Sequence, residues 1–149
     1  AWIEARGIDA TLAEKFGLTT TKDASGYWLT LPYTEGGAVI NHKYRQTSEK
    51  RHRMDSGAPL LLWNADCLKE PKVQSGQAPL VITEGEWDAL AAITAGFQYV
   101  VSVPNGAPAQ ETEDLNTAKR YDWVDRHAKE LAQVQTFVLA TDADQAGYN

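Results

Sequence analysis

The chain has 149 residues, of which 43% are hydrophobic, and its formal net charge is −6. This length suits one ordinary domain or two small ones, and the hydrophobic content argues against intrinsic disorder. No apolar run reaches the roughly 18 residues of a membrane helix and no signal peptide opens the chain, so we expect a cytoplasmic protein without membrane contact. The single cysteine, Cys67, excludes an internal disulfide, and the three scattered histidines lack the spacing of a zinc ribbon.

The charge is unevenly distributed along the chain. Residues 1–78 carry ten Lys/Arg and nine Asp/Glu, whereas residues 79–149 carry four and eleven. Within residues 42–53, five basic residues are accompanied by one acid, Glu49. These basic residues are Lys43, Arg45, Lys50, Arg51 and Arg53. A basic segment beside an acidic one suits a protein that contacts phosphate at one place and metal at another.

The first part of the chain predicts short helices followed by a hairpin. Residues 2–18 predict two short helical segments, with Asp9 as the N-cap of the second. Residues 26–34 and 38–45 predict two strands joined by the loop Glu35-Gly36-Gly37. Helices followed by a hairpin predict a small mixed α+β subdomain, which contains the basic residues.

Local composition predicts how this subdomain continues. Pro32 predicts that the first strand lies at a sheet edge, because proline cannot donate a hydrogen bond to a neighbouring strand. Residues 46–58 are polar without periodicity and predict a loop, and the apolar residues 59–63 predict a short strand. Residues 70–79, rich in Pro, Gly and Gln, mark the best boundary. The predicted domains are therefore residues 1–78 and 79–149.

After residue 79, strands and helices alternate. Three apolar runs predict strands that are buried on both faces: residues 80–83, 99–103 and 136–140. Residues 87–95 predict a helix ended by Gly96, and residues 112–135 predict a second helix. Its expected core residues are Leu115, Tyr121, Val124, Ala128 and Leu131. This order predicts an α/β fold, with a parallel sheet flanked by helices after the basic subdomain.

Acidic residues follow two of these strands directly. Residues 80–83 lead into Glu84, and residues 136–140 lead into Asp142 and Asp144. Because ligands of an open parallel sheet gather beyond the carboxyl ends of its strands, we expect these three carboxylates to share one crevice. Crowded carboxylates need a balancing cation, and oxygen-only ligands suit Mg²⁺ or Mn²⁺ rather than zinc.

Each of these features taken alone has an ordinary explanation. A glutamate at a strand end commonly favours the dipole of the next helix, and Asp-Xaa-Asp is common in turns. We expect Asp88 to tether its loop or cap its helix, and Glu86 to face solvent. Gly85 and Gly147 are expected to let the backbone turn sharply close to a ligand. The specific signal is the whole order of strand, EGxxDAL, helix, strand, glycine loop, helix, strand and DxDxAG.

That order resembles the TOPRIM family, in residues 81–90 and 140–147. The conserved glutamate of the family corresponds to Glu84, and its DxD pair corresponds to Asp142 and Asp144. Within the family, the chain looks most like bacterial and phage primases, including primase–helicase fusions. Their glycine-containing loop after the second strand is similar to residues 102–107 here. Their TOPRIM domain also follows a small basic subdomain, whose place residues 1–78 occupy.

The resemblance implies a nucleotidyltransferase, a DNA-directed RNA polymerase that makes short RNA primers on single-stranded DNA from ribonucleoside triphosphates. It implies that Asp142 and Asp144 hold Mg²⁺ or Mn²⁺, and that Glu84 binds a second ion or assists deprotonation of the attacking hydroxyl. It further implies a replicative helicase, fused or separate, in a bacterial or phage replication complex. Since the domain in these primases continues past DxDxAG, we expect this chain to be a fragment truncated at its C-terminus, whose activity alone is open.

The resemblance also implies roles for residues around the acids. The residues expected to shape the nucleotide pocket and its loops are Gly85, Asp88, Asn105, Gly106 and Gly147. The basic residues of the 42–53 segment would contact nucleic-acid phosphates, or else form an ordinary solvated loop.

Three other functions remain open at this point. One is a TOPRIM nuclease, which would not need the basic subdomain. Another is a non-catalytic module that binds or loads DNA for a replicative helicase. The third is an ordinary nucleotide-binding or response-regulator-like α/β domain, which gives no reason for EGxxDAL.

Overall fold

The computed structural model describes residues 2–106 and 119–144, and its backbone forms two sheets there. The first sheet is antiparallel, in the order β1-β2-β3-β4, and comprises Thr19–Asp23, Gly26–Glu35, Ala38–Gln46 and His52–Met54. The second is parallel, in the order β6-β5-β7, and comprises β5 Leu80–Thr83, β6 Val100–Ser102 and β7 Phe137–Ala140. The helices are α1 Ala10–Lys15, α2 Pro71–Gln74, α3 Glu86–Thr94 and α4 Asp122–Leu131. The predicted α/β fold, with a mixed subdomain before a parallel sheet, is confirmed.

The N-terminal elements form where the sequence predicts them. A 3₁₀ turn at Glu4–Arg6 precedes α1, and the carboxylate of Asp9 accepts a hydrogen bond from the Leu12 amide at 2.8 Å. This bond satisfies one of the unpaired N–H groups of the first helical turn.

The hairpin between β2 and β3 is tighter than predicted. Glu35 pairs with Ala38, so the loop contains two residues, Gly36 and Gly37. Both have positive φ angles, +58° and +79°, as the favoured two-residue hairpin turns require. The Asp66 carboxylate accepts hydrogen bonds from both glycine amides and fixes the turn from a later segment of the chain.

Two strands of the first sheet were not predicted, and one of them corrects the position of β2. All five residues of β1 are exposed and have no apolar alternation. Since β1 pairs with one side of β2 and β3 with the other, the prediction that β2 is an edge strand is wrong. The pairing with β1 stops at Thr30, however, so Pro32 has a strand neighbour on the β3 side alone.

Residues 46–63 differ from their prediction in two respects. The predicted loop contains β4, which pairs with Lys43–Arg45 of β3. The predicted strand at 59–63 is absent from the described structure except for an isolated bridge between Trp63 and Ser102. Burial, not sheet formation, explains its apolar residues, since Leu61, Leu62 and Trp63 are at most 1% exposed.

In the second half, the strands and α3 match the prediction closely, but α4 buries a different face. Residues 112–118, with Leu115, lie outside the described residues. On α4, His127 is buried, whereas Val124 and Ala128 are exposed. The buried face therefore includes a histidine that the hydrophobic pattern did not indicate.

The strand β7 is not buried on both faces as predicted. Phe137, Val138 and Leu139 are 44%, 42% and 71% exposed. In the described part of the sheet, β7 pairs with β5 alone and forms one of the two edges.

The two halves of the chain share their apolar core. One cluster joins residues of the first sheet and its helices to β5, α3 and β6: Ile8, Ala13, Leu31, Tyr33, Leu61, Trp63, Val81, Ala89, Leu90 and Val100. A second cluster joins residues 62–73 to Leu80, Val101 and Val134. The domain boundary at residues 78 and 79 stays a prediction, but packing is continuous across it. Among the described helices, none has the length and apolar character needed to span a bilayer.

Helix α4 is joined to the first half of the chain by polar contacts as well. The His127 imidazole accepts a hydrogen bond from the Leu62 amide at its Nε2 atom, over 3.2 Å. Burial lowers the pKa of His127 below its usual value. Beside it, Arg126 donates two hydrogen bonds to the Glu35 carboxylate, at 3.1 and 2.8 Å.

We predict that His127→Ala lowers the free energy of unfolding by about 1–3 kcal/mol, because it leaves the buried Leu62 amide without an acceptor. Urea denaturation at pH 7.5 measures the change. The matched control is Lys129→Ala on the exposed side of the same helix, which should change stability by less than about 0.5 kcal/mol.

The same histidine should make stability depend on pH. Because the folded state has the lower pKa, the unfolded chain takes up the proton first as the solution is acidified. The contribution of His127 is therefore fully present above about pH 6.5 and is lost as pH falls through the folded pKa. Urea denaturation from pH 7.5 to 5 should show a smaller loss of stability in His127→Ala than in the wild type. Equal losses would contradict the prediction.

Candidate functional site

Glu84 and Gly85 connect the end of β5 to the start of α3. The chain bends at Glu84 and Gly85 as expected, but Gly85 has an ordinary extended φ of −135°, so its backbone conformation does not require glycine. A Cβ atom at this position would lie 2.7 Å from the Asp88 carboxylate oxygen Oδ2. A side chain at residue 85 would therefore have to displace the Asp88 carboxylate.

The chain segments that follow β5, β6 and β7 meet at Glu84. The Asp142 amide donates a hydrogen bond to Oε2 of Glu84 over 3.1 Å. Gly106 lies on the other side, where a Cβ atom would be 3.6 Å from Oε1 of Glu84. Gly106 also has a φ of +68°, which favours glycine. The structure thus brings Glu84, Asp142 and Gly106 together.

These residues line an open cavity of about 250 Å³. Besides the buried Glu86, its lining includes three carboxylates, those of Glu84, Asp88 and Asp142. It also includes basic and imidazole side chains from the first sheet and its loop, Lys43, Arg45, Lys50 and His52. The remaining lining residues are Gly85, Glu86, Trp87, Asn105 and Gly106. The cavity therefore lies between the two halves of the chain.

The three carboxylates are close enough to influence one another. Partial burial raises the pKa of Asp88, and the negative charge of Asp142 raises it further. Glu86 and Glu84 act in the same direction, whereas the positive charge of Arg6 opposes them. Since crowded carboxylates take up protons unless a cation balances them, this side of the cavity favours a bound cation.

Asp144 is exposed and does not line the cavity, and Gly147 lies outside the described residues. Within residues 2–106 and 119–144, no three His, Cys, Asp or Glu side chains have the spacing of a metal-binding cluster. Of the three acidic residues expected to converge, Glu84 and Asp142 line the same cavity, and Asp88 lines it with them.

The five basic residues singled out in the sequence separate into two groups. Lys43, Arg45 and Lys50 line the cavity. Arg51 lies elsewhere, 3.7 Å from the Glu49 carboxylate, and both side chains are well exposed.

Arg53 is engaged with residues of the first sheet. It donates a hydrogen bond of 2.8 Å to Asp23 and stacks over the Trp28 ring, 4.4 Å from its centroid. Hydrogen bonds from Ser25, Trp28 and Arg53 lower the pKa of Asp23, so this carboxylate stays charged beside the guanidinium. Arg53 therefore has a partner within the protein.

Lys43 and Glu86 are buried, which sequence reasoning missed. The Lys43 ammonium donates a hydrogen bond to the Pro104 carbonyl over 2.7 Å and lies 3.4 Å from Oε1 of Glu86. The Tyr33 hydroxyl donates a hydrogen bond to the same oxygen, and burial together with the charge of Glu86 raises the pKa of Tyr33. Glu86 is 3% exposed, so the expectation that it faces solvent is wrong.

Trp2 and His52 lie near the cavity, and the sequence did not indicate either of them as a site residue. Trp2 receives the guanidinium of Arg6 at 4.3 Å and that of Arg45 at 5.6 Å from its ring centroid. Burial and the nearby charge of Arg6 lower the pKa of Arg45. Because Arg45 pairs with His52 across β3 and β4, the unpredicted strand β4 is what brings His52 to the cavity.

Burial lowers the pKa of His52, and the charge of Lys43 lowers it further. The cavity as a whole presents carboxylate oxygens on one side and basic side chains on the other. Oxygen ligands suit hard divalent cations, and positively charged groups beside them suit phosphate.

Comparison with known proteins gives consistent results. The Toprim domain family matches residues 79–149. The chain is 28% identical over 150 residues to an Arabidopsis thaliana primase homolog protein, covering 96% of this chain and 42% of that protein. It is 27% identical over 153 residues to the Arabidopsis thaliana chloroplastic/mitochondrial Twinkle homolog protein, covering 98% of this chain and 20% of that protein.

A solved structure, the primase fragment of the bacteriophage T7 primase-helicase protein, superposes with a TM-score of 0.70 at 22% identity. The superposition covers 97% of this chain and 55% of the T7 fragment. The chain spans less than half the length of the two Arabidopsis proteins and about half of the T7 fragment. The resemblance recognised in the sequence is confirmed: the Toprim domain family matches residues 79–149, and the chain as a whole has the fold of primase fragments.

Proposed function

We propose that this protein is the catalytic core of a DNA primase, which joins ribonucleotides into short RNA primers on a single-stranded DNA template. The observation that carries the proposal is the cavity between the two halves of the chain. It combines the carboxylates of Glu84, Asp88 and Asp142 with basic side chains that face them. Nucleotidyl transfer needs both, because metal ions and cations offset the charge that develops on the phosphates.

The proposed metal ion is Mg²⁺ or Mn²⁺, held by Glu84 and Asp142, with Asp144 as a further ligand. The oxygen-only donor set fits such an ion. Burial, together with the nearby negative charge of Asp142, raises the pKa of Asp88, so a cation beside these carboxylates would favour their charged forms. When bound, the ion would supply positive charge that offsets the negative charge developing on the phosphates.

The other residues of the cavity would bind and orient substrates. Asn105 and Gly106 lie beside Glu84 and would contact the incoming ribonucleoside triphosphate. Arg45 and Lys50 would contact phosphates of the template or the growing strand, an attraction that depends little on sequence. A replicative helicase, fused as in the T7 primase-helicase protein or separate, is the proposed partner.

We predict that Glu84→Gln and Asp142→Asn each weaken Mn²⁺ binding at least about tenfold and reduce primer synthesis about 100-fold or more. Both remove a charged oxygen ligand with little change in shape. Electron paramagnetic resonance of free Mn²⁺ measures affinity, and incorporation of labelled ribonucleotides on single-stranded DNA measures synthesis. The control is Asp125→Asn, an exposed acid on α4, which should change neither.

The alternatives give different results in the same assays. Metal-dependent cutting of DNA in the absence of ribonucleotides, without primer synthesis, would identify a nuclease. Mn²⁺ affinity that is unaffected by both substitutions, combined with tight binding of single-stranded DNA, would identify a non-catalytic DNA-binding module. Either result would contradict the proposed function.

We also predict that Arg45→Met and Lys50→Met each weaken binding of single-stranded DNA and reduce its salt dependence. Each lost phosphate contact should lower the slope of log affinity against log salt concentration by about 0.7. Fluorescence anisotropy of a labelled oligonucleotide at several salt concentrations gives this slope. Lys129→Met, an exposed lysine on α4, is the matched control and should retain the wild-type slope.

A further inference from the structure

We propose that Lys43 and Glu86 are positioning residues, which act through each other and through the Pro104 carbonyl to place Glu84 and the Asn105–Gly106 loop at the metal site. The inference rests on the proposed function. It gives Lys43 a role inside the protein in place of the phosphate contact expected from the sequence.

The position of Lys43 leaves it little access to a nucleic acid. The residue is 8% exposed. Its ammonium group donates to the Pro104 carbonyl at 2.7 Å and lies 3.4 Å from the Glu86 carboxylate. Lys43 therefore already has the anionic and hydrogen-bonding partners that a phosphate would otherwise supply.

Glu86 needs such a partner because of where it lies. It is 3% exposed, and the fully buried Tyr33 hydroxyl donates a hydrogen bond to it. A buried carboxylate is strongly destabilising unless it is paired with a cation and hydrogen-bonded. The Lys43 ammonium and the Tyr33 hydroxyl, from neighbouring strands of the first sheet, meet both requirements.

The two bonds of Lys43 end on the two segments that surround Glu84. Glu86 begins α3, two residues after Glu84. Pro104 lies two residues before Gly106, where a Cβ atom would lie 3.6 Å from Oε1 of Glu84. One ammonium group from the first sheet thus fixes the start of α3 and the loop after β6 relative to each other.

The substitution Lys43→Met distinguishes positioning from simple electrostatics by the sign of its effect. Removing a cation from the neighbourhood of a cation site strengthens that site if charge alone matters. If Lys43 positions Glu84, its loss frees both segments and weakens the site, as does removal of groups that orient metal ligands in other proteins. We therefore expect Mn²⁺ affinity to fall about tenfold in Lys43→Met.

The test measures Mn²⁺ affinity by electron paramagnetic resonance in the 149-residue chain. The variants are wild type, Lys43→Met, Glu84→Gln and the double variant Lys43→Met/Glu86→Gln. The matched control is Lys50→Met, a cation at the same cavity that is exposed, and it should show no loss of affinity. The salt dependence of single-stranded DNA binding, measured on the same samples, should keep its wild-type slope in Lys43→Met.

Circular dichroism shows whether each variant is folded. If Lys43→Met is unfolded, the double variant decides the question, because it leaves no unpaired charge in the interior. Its Mn²⁺ affinity should still lie below that of the wild type, since the Pro104 carbonyl has lost its donor. Wild-type affinity in the folded double variant would overturn the positioning role.

Two further outcomes are decisive. Unchanged or tighter Mn²⁺ binding in folded Lys43→Met, with weak binding in Glu84→Gln, would overturn the positioning role and leave the proposed function intact. Full affinity in both variants would overturn the proposed function as well. A lower salt slope for Lys43→Met, with unchanged Mn²⁺ affinity, would establish Lys43 as a phosphate contact instead.

Discussion

The packing of the antiparallel sheet against the parallel sheet is the constraint on which the candidate site depends. Leu31 and Tyr33 of β2 pack in the same apolar cluster as Val81 of β5 and Leu90 of α3. This packing holds β3 across the carboxyl ends of the parallel strands, so that its basic residues face Glu84 and Asp142. Neither half of the chain contains the complete cavity, because the carboxylates come from one half and most of the cations from the other.

The sequence predicts the order of elements well because that order follows from local patterns. The runs at residues 80–83 and 136–140 are uniformly apolar, and the Glu-Gly and Asp-Ala-Asp segments that follow them identify the ends of adjacent strands. The fold class and the Toprim domain both follow from these segments. Even the meeting of Glu84 with Asp142 needs nothing beyond the adjacency of β5 and β7.

The remainder could not be predicted because it depends on which side chains meet across the two sheets. Lysine usually lies at the surface, whereas Lys43 is buried because its ammonium group meets the Glu86 carboxylate and the Pro104 carbonyl. His127 occupies a core position because the Leu62 amide lies there to be bonded. The strand β1 has no apolar face, so no periodicity indicates it. Tertiary contacts determined the structure at each of these positions.

The contact between Gly85 and Asp88 has a consequence for how this protein can vary. A Cβ atom at residue 85 and the carboxylate at residue 88 would compete for one volume, since they would lie 2.7 Å apart. The constraint acts in one direction, because residue 88 can be shortened while residue 85 stays glycine. A larger residue at 85 becomes compatible with this backbone when the side chain at 88 is shortened or rotated away, and the carboxylate would then leave the cavity. In a set of related sequences, a carboxylate held in the cavity at residue 88 should be accompanied by glycine at residue 85, whereas loss of that carboxylate leaves residue 85 free to vary.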